Sequence, residues 1–260
     1  MAVVEEKMVI GDGYRLPYFD FGNGEKTFII IPGSSMNSIL ASEEGIKNIS
    51  APYTDDFHIY VFDAPEDLDS VSGIDQFADI IADAAKALGI KEADVFGASM
   101  GGMIAQKLAI HHPNLVHSLT LASSMSRNNE TSQKVISEWA GISEPEELAR
   151  TINSYVYSKE YYNTYSDIFH AIESSATADG VKRMHNLARM MKGFSAYDEL
   201  DQIKCPVYVY AGSNDNTLGV EASIEIAEKL GCSIKVYDGY SHAVYDEFPN
   251  FYDEVFGNLK

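Results

Sequence analysis

Short apolar segments that lack polar alternation recur along the chain, and segments with helical periodicity separate them. Thr27–Ile31 and His58–Phe62 are two such apolar segments, and their composition is typical of strands buried on both faces of a sheet. Apolar residues from Ile74 to Leu88 recur at helical spacing instead. Near the start, Gly11-Asp12-Gly13 between two extended segments predicts an antiparallel hairpin. We therefore predict an α/β fold, with a mostly parallel central sheet flanked by helices.

This alternation is interrupted once. It runs from residue 27 to residue 122 and resumes with the strand Val207–Ala211, whereas the segment between is rich in aromatic and methionine residues and has no comparable strand signal. We therefore predict a core domain of residues 1–124 and 196–260, with a helical cap of residues 125–195 inserted over the sheet. A length of 260 residues fits one large domain that carries such an insertion.

The charge balance limits the partners. The chain has 19 Lys and Arg residues against 39 Asp and Glu residues, a formal net charge of −20, and such a charge repels nucleic acids and anionic membrane surfaces. We see no apolar run of the roughly 20 residues needed to cross a bilayer and no signal-peptide pattern at the start. Two cysteines, Cys205 and Cys232, are too few for a disulfide framework. We expect a cytoplasmic protein without nucleic-acid or membrane partners; its oligomeric state stays open.

A Gly-x-Ser-x-Gly motif joins a predicted strand to a predicted helix. Gly97, Ser99 and Gly101 form it, and the two glycines remove side chains that would collide with the neighbouring strand and helix. The serine hydroxyl would then be exposed at the sheet edge, close to the positive end of the helix. A tight turn without chemical function is the alternative, but the flanking strand and helix favour a nucleophile.

A serine nucleophile needs a base, and the base needs a group that orients it. His242 follows the predicted strand Ser233–Tyr237 and lies at the same sheet edge as Ser99, so we predict that it is the base. Asp215 follows the strand Val207–Ala211 and is the predicted orienting acid, in the order Ser, Asp, His. We interpret Asp246 as solvated, together with its neighbour Glu247. The other histidines fit helix ends, the opposite sheet edge or the cap; two of these, His170 and His185, could contact substrate.

An ester-cleaving site also needs donors for an oxyanion. The backbone N–H groups of Met100 and Ser34 are the predicted donors, because each follows the carboxyl end of a strand. We find no metal cluster, dinucleotide fingerprint or phosphate loop, and therefore predict no metal and no cofactor. Four aromatic and methionine residues of the cap are candidates for substrate binding, although such residues are more often core: Trp139, Tyr155, Met184 and Phe194.

Taken together, these motifs resemble those of the α/β-hydrolase family over nearly the whole chain outside the cap. The matching pieces are the Gly11-Asp12-Gly13 hairpin, Thr27–Ile31 with Pro32-Gly33-Ser34, Asp63, Gly97–Gly102, His112-Pro113, Gly212–Asp215, Gly239–His242 and Phe248-Pro249. The resemblance implies acyl transfer through a covalent ester of Ser99, with His242 as general base and acid and Asp215 as its orienting group. It also implies that the cap shapes the substrate pocket.

The sequence departs from that family in two loops. Pro32-Gly33 stands where many relatives have His-Gly, so the loop loses an imidazole and a backbone donor. The segment Ala64–Ser70 lacks the glycines usual in such relatives, so we expect this loop to follow another path.

The leading functional hypothesis is a serine hydrolase that cleaves small to medium carboxylic esters. A carboxylesterase, a lactonase and a thioesterase share this machinery, because the fold does not select the leaving group. One alternative is a carbon–carbon bond hydrolase or cofactor-free lyase on the same fold, and the altered oxyanion loop is the only hint of it. A non-enzymatic small-molecule receptor is a further alternative, against which the complete set of Ser, His and Asp argues.

Overall fold

A computed structural model describes residues 2–5 and 7–259. Within these residues nine strands form one sheet, in the spatial order β1-β2-β3-β5-β4-β6-β7-β8-β9. The strands are β1 (Val3–Glu5), β2 (Met8–Gly11), β3 (Tyr14–Phe21), β4 (Lys26–Ile31), β5 (Phe57–Phe62), β6 (Ala93–Ala98), β7 (Val116–Ala122), β8 (Val207–Gly212) and β9 (Ile234–Tyr237).

The strands β4 to β9 are parallel to one another, and β1 to β3 form an antiparallel meander that joins them through β5. The predicted mostly parallel sheet and the N-terminal hairpin are confirmed. Ile31 pairs with Gly97, and Ala98 pairs with Ala122. The register therefore brings the carboxyl ends of β4, β6 and β7 to one edge of the sheet.

Both faces of the sheet are covered by helices. Along β4, Ile29 and Ile31 belong to one hydrophobic cluster, and Phe28 and Ile30 belong to another, as the two-residue period of a strand requires. The helices are α1 (Glu43–Ser50), α2 (Ile74–Ala87), α3 (Met100–His111), α4 (Glu130–Gly141), α5 (Pro145–Val156), α6 (Lys159–Thr164), α7 (Ser166–Ser174), α8 (Ala178–Lys192), α9 (Val220–Leu230), α10 (Val244–Glu247) and α11 (Phe251–Gly257). Among the described residues, no helix combines the length and apolarity that crossing a membrane requires.

Two helices follow His242 in the chain. Helix α10 ends before Pro249, and α11 begins after it. Proline lacks the N–H that a continuous helix needs at that position and clashes with the preceding turn. The break allows α10 to follow His242 closely.

Five helices, α4 to α8, lie between β7 and β8 in the chain. The chain leaves and re-enters the core at one point, where the N–H of Ala196 donates to the carbonyl oxygen of Ser126 at 2.7 Å. Helix α8 packs on the loop that follows Asp63. Arg183 forms an ion pair with the buried Asp63 carboxylate, and Arg189 donates to the carbonyl oxygen of Val71 at 2.8 Å. This loop, which lacks the expected glycines, is thus covered by the cap.

Candidate active site

Ser99 lies on a sharp turn between β6 and α3 with φ 52° and ψ −119°. A non-glycine residue in this left-handed region is strained. The turn also packs very closely: a Cβ atom on Gly101 would lie 1.9 Å from the carbonyl oxygen of Ile31, and one on Gly97 would lie 2.5 Å from the carbonyl oxygen of Gly101. Both positions require glycine because backbone atoms occupy the space that a side chain would fill.

Hydrogen bonds hold the strained turn from several sides. The N–H of Ser99 donates to the carbonyl oxygen of Ala122 at 2.9 Å. The carbonyl oxygen of Ser99 accepts from the N–H of Gly102 at 3.0 Å and from Oγ of Ser124 at 2.9 Å. Ser124 is itself fixed, since its carbonyl oxygen accepts from Oγ of Ser223 at 3.0 Å. Strain of this kind persists where the surrounding structure fixes the backbone.

His242 and Asp215 form a buried pair. Nδ1 of His242 lies 2.8 Å from Oδ2 of Asp215, and Oδ1 of Asp215 accepts from the N–H groups of Thr217 and Leu218, both at 2.9 Å. Burial acts to raise the pKa of Asp215, but the charge and hydrogen bond of His242 and the two backbone donors together lower it. An ionised Asp215 accepts a hydrogen bond from Nδ1–H, which leaves Nε2 of His242 as an acceptor.

Ser99 and His242 border the same cavity, although 142 residues separate them in the chain. This cavity, about 330 Å³ in volume, lies between the carboxyl edge of the sheet and helices α4, α5 and α7. Both side chains are buried, with 7% of Ser99 and 1% of His242 exposed. Among the described residues no hydrogen bond joins them; such bonds are often long in unliganded sites.

The loop after β4 runs directly against Ser99. A Cβ atom on Gly33 would lie 3.2 Å from Cβ of Ser99, so this position also favours a small residue. Ser34 borders the cavity, and within the described chain its N–H donates to no backbone acceptor. Met100 is the first residue of α3, where a backbone N–H has no partner inside the helix. Both predicted oxyanion donors therefore lie next to Ser99.

Only one of the four cap residues predicted to bind substrate borders the cavity. Trp139 does, whereas Tyr155, Met184 and Phe194 do not, which corrects their assignment. Met184 and Phe194 are buried in the main hydrophobic core, and Tyr155 directs its hydroxyl to Glu138 at 2.8 Å. Periodicity cannot distinguish the two faces of a helix that is apolar on both.

Two histidines of the cap do not reach the cavity. Nε2 of His185 lies 2.8 Å from the carbonyl oxygen of Ile142, and neither His185 nor His170 borders the cavity.

Burial raises the pKa of Cys205 to about 11, so this thiol is not a competing thiolate nucleophile. In the part of the chain that the structure describes, no group of three or more His, Cys, Asp or Glu side chains could hold a metal ion.

The cavity wall also contains polar residues that the sequence analysis did not assign to the site. Asn153, Tyr157 and Asp246 are among them. Asp246 is exposed on α10, as the sequence analysis expects, and it also borders the cavity, where its carboxylate accepts from the hydroxyl of Tyr157 at 3.0 Å. The position of Asp246 four residues after His242 is the one sequence signal that could have placed it at the site.

Comparison with known proteins agrees with this architecture. The chain is similar to proteins named putative carbamate hydrolase RutD, from Rhizobium rhizogenes (23% identity, covering 73% of this chain and 77% of that one) and from Stutzerimonas stutzeri (22% identity, covering 75% and 79%). Among solved structures, an enol-lactonase from Burkholderia xenovorans superposes with a TM-score of 0.78 at 18% identity over 95% of this chain and 96% of that one. An α/β hydrolase enzyme from a Medee basin deep-sea metagenome library superposes with a TM-score of 0.83 at 16% identity over 96% and 97%. A sequence model of the alpha/beta hydrolase fold matches residues 26–249, and the chain therefore belongs to the α/β-hydrolase family.

Proposed function

We propose that this chain is a serine hydrolase that cleaves small to medium carboxylic esters through an acyl-enzyme on Ser99. One observation supports this most strongly: a serine on a strained turn and a buried histidine–aspartate pair border one cavity. The hydrogen bond from His242 to Asp215 leaves Nε2 free for proton transfer, which is the task of a general base.

The reaction would proceed in two halves. Nε2 of His242 takes the proton from the Ser99 hydroxyl as Oγ attacks the carbonyl carbon of the ester. The N–H groups of Met100 and Ser34 stabilise the resulting oxyanion. The imidazolium then gives its proton to the leaving oxygen, which departs as the alcohol. In the second half, His242 activates a water that attacks the acyl-enzyme, and collapse releases the carboxylic acid and restores Ser99.

The cavity supports a substrate of modest size. A volume of about 330 Å³ lies at the lower end of the range for small-molecule sites. Its walls combine apolar side chains such as Ile30, Ile39 and Ile152 with the polar groups described above. The similar proteins are named for a carbamate and an enol-lactone, and attack on a carbonyl carbon by serine would serve esters, lactones and carbamates alike.

Fluorophosphonate labelling combined with turnover of p-nitrophenyl acetate and butyrate tests the proposal. We expect the wild-type protein to be labelled at Ser99 and to hydrolyse both esters, and we expect Ser99→Ala to lose labelling and turnover. Ser233→Ala is the matched control, because Ser233 is exposed and precedes β9 at the opposite edge of the sheet. A folded wild-type protein that neither labels nor turns over esters, thioesters, lactones or amides would contradict the proposal; turnover of diketones alone would favour carbon–carbon bond hydrolysis.

A further inference from the structure

The carboxylate of Asp246 stands in the wall of the catalytic cavity without a cation beside it. Asp246 lies on α10, four residues after His242. Its side chain is exposed, and Asp246 borders the cavity that Ser99 also borders. Oδ2 accepts from the hydroxyl of Tyr157. Among the described residues, no hydrogen bond reaches Oδ1 and no Lys or Arg forms an ion pair with Asp246.

Aromatic rings surround this carboxylate. Tyr157, Tyr245 and Tyr252 border the cavity with it, as does Trp139. Tyr161 stacks on Tyr157 with ring centroids 5.5 Å apart. The faces of such rings carry negative potential and attract cations. A carboxylate without an ion-pair partner among the described residues and several aromatic rings thus border one cavity.

Neighbouring groups shift the pKa of this carboxylate in both directions. Desolvation raises the pKa of Asp246 to about 6, against the hydrogen bond from Tyr157 and the attraction of His242, while the charge of Glu247 adds to the rise. Above pH 6 the group is nevertheless mostly ionised. An ionised carboxylate in a cavity wall attracts a cation, and among the described residues no Lys or Arg forms an ion pair with Asp246.

We propose that the cavity selects esters whose acyl or alcohol part carries an alkylammonium group, held against Asp246 and the rings of Tyr157, Tyr245 and Tyr252. This inference rests on the proposed esterase function and adds the chemical class of the substrate. The net charge of −20 favours it, because a strongly negative protein attracts cations from solution and repels anions. Asp246 would determine specificity, since it contacts a part of the substrate away from the bond that breaks.

Matched pairs of esters test this inference. Acetylcholine and 3,3-dimethylbutyl acetate have the same shape and differ in the charge of the alcohol part. The p-nitrophenyl esters of 4-(trimethylammonio)butyrate and 5,5-dimethylhexanoate differ in the same way in the acyl part. For at least one pair we expect kcat/KM to be at least about tenfold higher for the cationic ester, mainly through a lower KM, because the cation gains charge and cation–π contacts that the neutral ester lacks.

Asp246→Asn removes the charge and keeps the shape of the side chain. We expect the ratio of cationic to neutral kcat/KM to fall towards one in this variant. Asp12→Asn removes one acidic charge from the exposed turn between β2 and β3 and should leave the ratio as in the wild type. A wild-type ratio near one for both pairs would overturn the inference, and so would a high ratio that survives Asp246→Asn.

The pH dependence of the same ratio is a second measurement. The groups that face Asp246 are His242, Tyr245 and Glu247 from its own segment and Tyr157, Tyr161 and Tyr252 from the segments packed against it. Titration of the triad affects both esters of a pair equally and cancels. Since Asp246 loses its charge as pH falls through about 6, we expect the ratio to fall between pH 7.5 and pH 5 in the wild type and to stay flat in Asp246→Asn. A flat wild-type ratio would overturn the inference.

Calorimetric titration with choline separates this inference from the proposed function. We expect choline to bind the wild-type protein and to bind Asp246→Asn at least about tenfold more weakly. If no ester is hydrolysed but choline binds in this way, the esterase proposal fails and the cation site stands. If esters are hydrolysed without charge preference and choline does not bind, the cation site is refuted and the esterase proposal stands.

Discussion

Asp215 is positioned to accept one hydrogen bond from His242 and two from backbone N–H groups. Asp215→Asn would place an amide opposite Nδ1 and favour the tautomer of His242 that has its proton on Nε2. If Asp215 orients the base, we expect kcat on p-nitrophenyl butyrate to fall by roughly 10³- to 10⁴-fold, as it does when the orienting acid of a serine protease is replaced by Asn. Steady-state kinetics measure this, and circular dichroism checks that the fold is retained.

The control for that substitution is Asp238→Asn. Asp238 is exposed in the loop after β9, so the same chemical change there should leave kcat nearly unchanged. A decrease of less than about tenfold in folded Asp215→Asn would mean that this carboxylate does not orient the base.

The three candidate catalytic residues could be identified from sequence because each follows a strand in a parallel sheet. Ser99, Asp215 and His242 follow β6, β8 and β9, and such positions meet at one edge whatever the details of packing. Asp246 could not be placed in this way. Its orientation depends on the short helix α10 and on the cap that closes above it, and both depend on tertiary contacts.

The turn between β6 and α3 depends on close backbone packing against β4. In Gly101→Ala the new Cβ would meet the carbonyl oxygen of Ile31, and backbone atoms on either side cannot yield as a flexible side chain can. We expect the free energy of unfolding to fall by roughly 3 kcal/mol, and Tm to fall by about 6–12 °C. Thermal unfolding followed by circular dichroism measures the change.

Gly45→Ala provides the matched comparison. Gly45 lies in α1, and a Cβ atom there would have nothing within 4 Å. Alanine is the better helix former, so this variant should gain roughly 0.5–1 kcal/mol. Equal Tm values for the two variants would show that a side chain at residue 101 does not destabilise the packing against β4.

The cap is attached to the core by a buried ion pair as well as by apolar contacts. Arg183 on α8 pairs with Asp63, of which 3% is exposed, and also donates to the carbonyl oxygen of Ser35 at 3.1 Å. Arg183→Met would leave the Asp63 charge buried without its cation. We expect the free energy of unfolding to fall by about 3 kcal/mol, measured in urea.

A second substitution tests the cause of that loss. In the double variant Asp63→Asn and Arg183→Met the uncompensated charge is gone, so we expect part of the lost stability to return. If the double variant is as unstable as the sum of the single variants, the two side chains do not act as a pair.

Helices and strands of the core follow from local patterns more closely than the cap does. The helix predicted from Ile74 to Leu88 is α2, Ile74–Ala87, because one apolar face repeats regularly along it. In the cap, α4 to α8 range from 6 residues in α6 to 15 residues in α8 and carry polar residues among the apolar ones. Which face of each cap helix is buried depends on contacts with residues far away in the chain, such as the ion pair of Arg183 with Asp63.

The net charge of −20 acts on every substrate that approaches the cavity. We expect kcat/KM for an anionic ester, such as a p-nitrophenyl hemisuccinate, to rise by at least about twofold as the Debye length shortens from roughly 30 Å at 0.01 M salt to 8 Å at 0.15 M. The neutral ester p-nitrophenyl butyrate is the control and should change little. Equal responses of the two esters to salt would show that the negative charge of the protein does not slow the binding of the anionic ester.

The hydrogen bond between Ala196 and Ser126 holds the two ends of the inserted segment together. A segment whose two ends meet can be replaced by a segment of different length without displacing the strands on either side of it. Chimaeras joined at these two residues would therefore exchange the cap and keep the strand order of the sheet.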